Sequence, residues 1–387
     1  VSSSEARIPL AIPSIGGNAA AYLQDCLETN FVSSVGPYVA RFEREFAAWV
    51  GARHAVACAS GTAALHLAFL VLDVGPGDEV LVSDLTFVAS VNPVVYTGAS
   101  PVLADAEPRT YGLDPDLVVA ELDRRARTGA RQPAAIEVVH LLGHPAEIEP
   151  ILAAAERYGV PVVEDASEAL GATYRAGPLA GRQVGTLGRI AAFSFNGNKL
   201  ITTGGGGMVV TDDEGLARRA RHLSTQARLS GLAYDHDEVG YNYRLTNIAA
   251  ALGVAQVEEL DRLLGARRAV AARYDAAIAT IPGLRPAPRA PWADPSFWLY
   301  TAALDTPERA RRDAVLAALD AAGVEARPIW RPIHATQRYR DAARLGGEVA
   351  DRIFDAAFCL PSSSSLTERD QDRVIAALRS AVAEASR

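Results

Sequence analysis

Long apolar runs are missing from this 387-residue chain, and no stretch reaches the length needed to cross a bilayer. The opening segment VSSSEARIPLAIPSIGG lacks the apolar core a secretory signal requires, so the expected location is the cytoplasm. Cysteine is scarce: Cys26, Cys58 and Cys359 stand far apart, which excludes a CxxC pair and a disulfide framework. No lysine or arginine stripe offsets the net charge of −8, so a nucleic-acid partner is not expected. Arg124, Arg125 and Arg127, and Arg218, Arg219 and Arg221, read as solvated helix faces. Internal repeats and low-complexity segments are also absent. What is present is the balance of a soluble globular protein, with 49% hydrophobic and 22% charged residues and enough length for one large domain plus a smaller one.

Helical periods at 18–29 and 37–50 lead into an alternation of short apolar runs and helical patterns. HAVACAS, EVLVSD, PVLADAE, AAIEVVH and VPVVED read as strands, with helices between them. Strands separated by helices of this length imply right-handed crossovers and a mostly parallel sheet covered on both faces. The period is lost from Asp165 to Gly188, then strands follow at 190–195 and 207–211. The polar stretch 224–242 is long for a loop inside a compact domain, which marks it as functional. One long helical pattern runs from Thr246 toward Ile281. The proline-rich IPGLRPAPRAPWADP then links a large domain (1–282) to a smaller α/β domain (283–387), with a strand in FWLYTAAL, a helix at 308–322, a strand at 324–326 and a helix at 368–384.

In open parallel sheets, ligands bind beyond the carboxyl ends of the strands. The first strand delivers Ser60-Gly61-Thr62-Ala63 to the start of a helix, which suits a phosphate but equally makes an ordinary N-cap. The second delivers Phe87, able to stack on a flat ring or to pack in the core. The strand VPVVED delivers Glu164 and Asp165, with Glu168 three residues on; Asp165 could face a protonated ring nitrogen or cap a helix. An ion pair at about 3 Å is worth roughly 5 kcal/mol at an effective dielectric of about 20, before desolvation. Lys199 sits in FSFNGNKLITTGGGG, where an apolar strand opens into a glycine loop. Alone it reads as a surface lysine; with a depressed pKa it is a nucleophile for Schiff-base chemistry. A lysine, a carboxylate for a ring nitrogen and donors for a phosphate are the set that pyridoxal 5′-phosphate (PLP) requires. No Gly-Lys-Ser/Thr closes the glycine run, so it is not a P-loop.

SGTAALHLA, DLTFVASVNPV, VVEDASEALGA, FSFNGNKLITTGGGGMVVTDD and GYNYRLTNIAAALGVAQ together resemble the DegT/StrS group of PLP-dependent sugar-nucleotide aminotransferases. That resemblance implies a fold-type I PLP transferase, with a large domain whose mostly parallel sheet is sandwiched by helices and a smaller C-terminal α/β domain. By position it implies Lys199 as the Schiff-base lysine, Asp165 as partner of the pyridine nitrogen and Phe87 as the stacking aromatic. Gly61, Thr62, Ala63 and Ser194 match phosphate-binding positions, and Glu168 lies where the group places a residue near the phenolic oxygen. A homodimer with shared active sites is implied, Asn242 and Arg244 reaching the partner's cofactor phosphate. No metal is implied. Relatives that deoxygenate sugars carry histidine at the lysine position, and others need an iron-sulfur cluster; Lys199 and the scattered cysteines fit neither. GGGG, HLSTQAR and ARPIWRPIH look most like the branch that aminates C4 of UDP-linked 4-keto-6-deoxy sugars, with Trp330, Arg331 and His334 as candidates for the nucleotide diphosphate. Glutamate is the expected amino donor. A same-fold aminotransferase acting on a cyclitol or another ketone, and a non-enzymatic regulator of the same fold, are the alternatives.

Overall fold

The computed structural model of the protein describes residues 6–385. In chain order α1 (Ala19–Glu28) and α2 (Pro37–Val50) precede β1 (His54–Cys58), α3 (Gly61–Val71), β2 (Glu79–Ser83), α4 (Val88–Tyr96), β3 (Ser100–Ala104), α5 (Pro115–Thr128), β4 (Ala135–Val139), α6 (Glu149–Tyr158) and β5 (Val162–Asp165). Then come β6 (Thr173–Tyr174), β7 (Ile190–Ser194), β8 (Gly207–Thr211), α7 (Glu214–Ser224), α8 (Asn247–Glu258) and α9 (Leu260–Ile278). The remainder is β9 (Leu284–Pro286), β10 (Ala293–Asp294), β11 (Tyr300–Leu304), α10 (Arg309–Ala321), β12 (Arg327–Pro328), β13 (Ala343–Leu345), α11 (Val349–Ala356), β14 (Ala357–Leu360) and α12 (Glu368–Glu384).

Eight strands form the main sheet in the order β1-β8-β7-β5-β4-β2-β3-β13. All neighbours are parallel except β8, which runs against both β1 and β7. The near-continuous apolar character of the strands follows from burial on both faces. One face packs Phe42, Phe46, Leu122, Ile151 and Val254 from α2, α5, α6 and α8. The other packs Leu65, Phe69, Val91, Val94 and Leu223 from α3, α4 and α7. The second sheet, β12-β14-β11-β9, is covered by Val315 and Leu319 of α10 and Val374 and Leu378 of α12. Among the described residues no helix is long and apolar enough to cross a membrane.

Four details depart from expectation. The pattern from Thr246 toward Ile281 is two helices, parted at Glu259, where φ −99° and ψ 0° leave the helical region. Past the break α9 gives Leu260 and Leu263 to the large core and Val270, Tyr274 and Ile278 to the small one, so a single helix joins both. At 324–326 no strand forms, because the Val324 amide bonds back to Leu319 and closes α10; only a single bridge to Ile8 remains there. The chain from 283 onward is not confined to the small sheet, since β13 completes the edge of the large one against β3. Finally, Arg125 is not solvated. Successive helix positions lie about 100° apart, so three neighbouring arginines cannot share one face, and Arg125 turns inward to Glu121 and Glu79, both at 2.7 Å.

Two glycines are required where β7, β8 and the start of α3 meet. A Cβ on Gly207 would sit 2.3 Å from the Ser60 carbonyl oxygen, and one on Gly61 would sit 2.7 Å from Ser194 Cβ. By contrast, a Cβ on Gly205 would meet no atom within 4 Å. Gly207→Ala is therefore expected to cost about 1–3 kcal/mol, as overpacking does, with Gly205→Ala within about 0.5 kcal/mol of the parent. Denaturant titration of the two variants checks this contrast.

Candidate active site

The carboxyl ends of β1, β2, β5 and β7 open on a cavity of about 350 Å³. At one end lies the N-terminus of α3. Ser60 caps it, its hydroxyl accepting the Ala63 amide at 3.0 Å, while the Gly61 and Thr62 amides have no intrahelical acceptor by helix geometry. Ser60, Gly61, Thr62, Ser167 and Ser194 line this end, which makes it a cradle of hydroxyls and amides at the positive end of a helix.

Strand alternation separates the two acids of VPVVED. Glu164 points away from the cavity and accepts the amides of Gly185, Leu187 and Gly188 at 2.6–2.7 Å and Nε2 of His140 at 2.9 Å. Burial pushes its pKa up, but His140 and these amides outweigh burial and hold the carboxyl below the usual range. Asp165 points into the cavity, fixed by the Ser90 hydroxyl at 2.8 Å and the Ser167 amide at 3.0 Å. Two residues back along the same sheet face lies Glu137, wholly buried with neither carboxyl oxygen bonded. Burial, and then the charge of Asp165, raise its pKa well above the ordinary value.

Lys199 enters from the loop after β7. It is half-buried, and the part left accessible faces the cavity. Screening from bulk water lowers its pKa, opposed by the charges of Glu168 and Asp165 and assisted by Arg267. Glu168 accepts the Leu142 amide at 2.8 Å and the Trp330 indole NH at 3.0 Å. Burial pushes its pKa up to about 7, against the pull of Lys199. Phe87 borders the cavity with 47% of its surface exposed, its ring 4.9 Å from that of Trp330.

The family profile of the DegT/DnrJ/EryC1/StrS aminotransferases matches residues 13–379. The chain belongs to this family. Among the curated relatives of this aminotransferase, GDP-perosamine synthase of Caulobacter vibrioides is 43% identical over 96% of the chain and 97% of its own length. GDP-perosamine synthase of Escherichia coli O157:H7 is 37% identical over 93% and 94%. In structure the chain is similar to Spr1654 of Streptococcus pneumoniae in its PLP form, with a TM-score of 0.88 and 25% identity over 98% of this chain and 99% of that one. The protein is thus a PLP-dependent aminotransferase of fold-type I.

The cavity suits PLP on its own terms. It offers an amine, a buried carboxylate and a neutral cradle suited to a phosphate within one space, together with the side-chain oxygen of Asn198, which is buried without a partner. Of the residues expected from the sequence, Gly61, Thr62, Phe87, Asp165, Glu168, Ser194, Lys199 and Trp330 line it. Ala63 does not, and its amide is already taken by Ser60. Arg331 is exposed outside it. His334 is occupied elsewhere, its Nδ1 2.5 Å from Asp84 and its Nε2 3.3 Å from Asp351. Asn242 and Arg244 are exposed and do not reach the cavity of their own subunit.

Ser90, Ser167, Asn198 and Trp298 were not anticipated, since single serines, an asparagine and an apolar tryptophan carry no spacing signal. One compositional signal was available: Lys199 is the only lysine in the chain, the other 37 cationic side chains being arginines.

Glu168 gives the site a pH signature. Its folded-state pKa of about 7 lies above the ordinary value of 4.5, so between these values the folded protein holds a proton that the unfolded chain has lost. Its contribution to stability is greatest below about pH 4.5 and declines until about pH 7. Glu168→Gln should therefore flatten the pH dependence of unfolding, with little change at pH 5 and a gain of up to about 3 kcal/mol at pH 8. Chemical denaturation at the two pH values reads this directly.

Proposed function

We propose that this aminotransferase transfers an amino group from glutamate to a nucleotide-linked keto sugar, at C4 of a 4-keto-6-deoxy sugar. The observation that carries the chemistry is the convergence of Lys199, Asp165 and the α3 cradle on one cavity. The sugar-nucleotide substrate is supported by the names of the relatives. For the nucleotide, GDP replaces the UDP expected from the sequence, because the GDP-perosamine synthases match over nearly the whole chain.

In this reading the amides of Gly61 and Thr62 and the Ser194 hydroxyl would hold the cofactor phosphate, Phe87 would stack on its ring and Asp165 would pair with the ring nitrogen. PLP supplies an aldehyde for the amino group and a pyridinium ring that draws off the charge left when a proton departs from carbon. Lys199 Nζ is the group that would bond the cofactor and, when free, would take a proton from the amino donor's carbon and give it up again. Asp165, fixed by Ser90 and Ser167, keeps the ring nitrogen protonated; its buried position strengthens that attraction relative to water. Glu168, titrating near neutrality, would share a proton with the phenolic oxygen. Trp330 is the nucleotide-sugar contact favoured by its place on the cavity wall.

Asn242 and Arg244, exposed and outside their own cavity, are assigned to the partner's phosphate in a homodimer. Subunit mixing tests this: Lys199→Ala and Arg244→Ala should each lose most activity alone, and mixed dimers should regain part of it. Absence of any recovery sinks the shared site.

Two further outcomes check the chemistry. Asp165→Ala should keep the cofactor but lose on the order of 10²-fold or more in turnover; near-normal turnover would remove that role. A panel of GDP- and UDP-linked keto sugars assayed with glutamate should show amination of a GDP-linked 4-keto sugar. Amination only of a 3-keto or UDP-linked sugar, or of none, overturns the substrate assignment.

A further inference from the structure

Trp298 is among the largest fully enclosed side chains of the protein, with 2% of its surface exposed, yet its indole forms part of the cavity wall. The Lys199 Nζ lies 3.8 Å from the centroid of its ring. That is well inside the range, about 6 Å, in which an ammonium is held by the negative face of an aromatic ring, and tryptophan is the strongest such partner. The indole cannot turn away. Its Nε1 donates to the carbonyl of Asn198, the residue just before the lysine, at 2.8 Å. Trp330 stacks beside it at 6.2 Å with an interplanar angle of 26°.

The backbones of the two residues are also clamped together. Arg267 of α9, 1% exposed, donates through Nη1 to the Trp298 carbonyl and through Nη2 to the Lys199 carbonyl at 3.5 Å, while its Nε reaches Ser364 at 3.2 Å. Burial lowers its pKa to about 10, which still leaves the guanidinium charged at neutral pH. The lysine loop, the segment leading into β11 and α9 thus meet at one point, and what they hold in register is the amine over the indole.

We propose that Trp298 is the seat of the Lys199 amine whenever the lysine is free of the cofactor, holding Nζ over the indole face as an ammonium. This rests on the reading of Lys199 as the lysine that bonds PLP. An aromatic face attracts the cation and not the neutral amine, so the seat favours the protonated form. It acts with Glu168 and Asp165 and against desolvation and Arg267, the groups that face Nζ from the other elements. A proton that Nζ takes up is held there as the ammonium until it is given up, and the neutral amine that remains can then bond the cofactor again from the same fixed point. Trp298 is in this sense a positioning residue, acting through Lys199.

Because Lys199 is the only lysine, full-length protein grown with ¹³C-lysine gives one lysine side-chain signal. It is to be recorded by NMR over a pH titration, both as apoprotein and loaded with pyridoxamine 5′-phosphate, which leaves the lysine free. In the parent the ε-protons should be shifted upfield by the indole ring current. In Trp298→Leu that shift should vanish and the Lys199 pKa should fall by about one unit, with a smaller fall in Trp298→Phe, which keeps an aromatic face. An ε-proton signal at the free-lysine position in the parent, a result needing no variant to fold, overturns the proposal. So does an unchanged pKa in both variants. Borohydride reduction of the PLP-loaded parent followed by peptide mapping tests separately whether Lys199 bonds the cofactor, so failure of the seat and failure of that reading are distinguishable.

Discussion

The close approach of three strand ends is the constraint on which the site depends. β8 runs back against both β1 and β7, bringing Gly207 against the Ser60 carbonyl and Gly61 against Ser194, at spacings that leave no room for a Cβ. This contact sets the start of α3 beside the end of β7, so the phosphate cradle and the lysine loop belong to one wall. It also explains the last two glycines of the run differently from the first two. Gly206 and Gly207 are dictated by packing against Thr203 and Ser60, whereas Gly205 borders open space.

Around that wall the charges are arranged so that few are quenched and several are displaced from their ordinary ionisation. Glu164 is fully used by backbone amides and His140 and serves the fold. Asp165, its neighbour in sequence, faces the cavity and accepts from Ser90 and Ser167. Glu168 titrates near neutrality, burial and the charge of Asp165 raise the pKa of Glu137, and burial shifts the amine of Lys199 downward. Groups pushed toward neutral pH in one cavity are what proton transfer to and from carbon requires.

The second sheet contributes through joints, not through its own surface. α9 passes from one core to the other and carries Arg267 to the backbones of Lys199 and Trp298. β13 returns to the edge of the main sheet, and the turn after Trp330 is pinned when the backbone NH and ring of His334 bond Asp84. His334, a candidate nucleotide contact, bonds Asp84 and so secures the segment that carries Trp330. The two sheets are therefore tied at the mouth of the cavity, and Trp330 meets Glu168 across that seam.

The alternation of apolar runs and helical periods was enough to read the parallel sheet and its crossovers, because a strand buried on both faces and a helix of nine to fourteen residues have distinct patterns. β13 and β14 were illegible for the opposite reason: three and four residues, one following a helix without a break, carry no period. Motif order likewise sufficed for Lys199, Asp165, Phe87 and the start of α3, since each follows a strand and strand ends gather at one edge of such a sheet. Sequence alone determined the groups available at the strand ends, namely one amine, one acid and one helix terminus. Only the tertiary structure decided which neighbours those groups have. Glu164 and Asp165 part by strand alternation, His334 is withdrawn to Asp84, and Trp298, about a hundred residues from Lys199 along the chain, comes to lie beneath its amine. Contacts between distant segments depend on how helices and sheets dock, and local residue pattern does not encode that geometry.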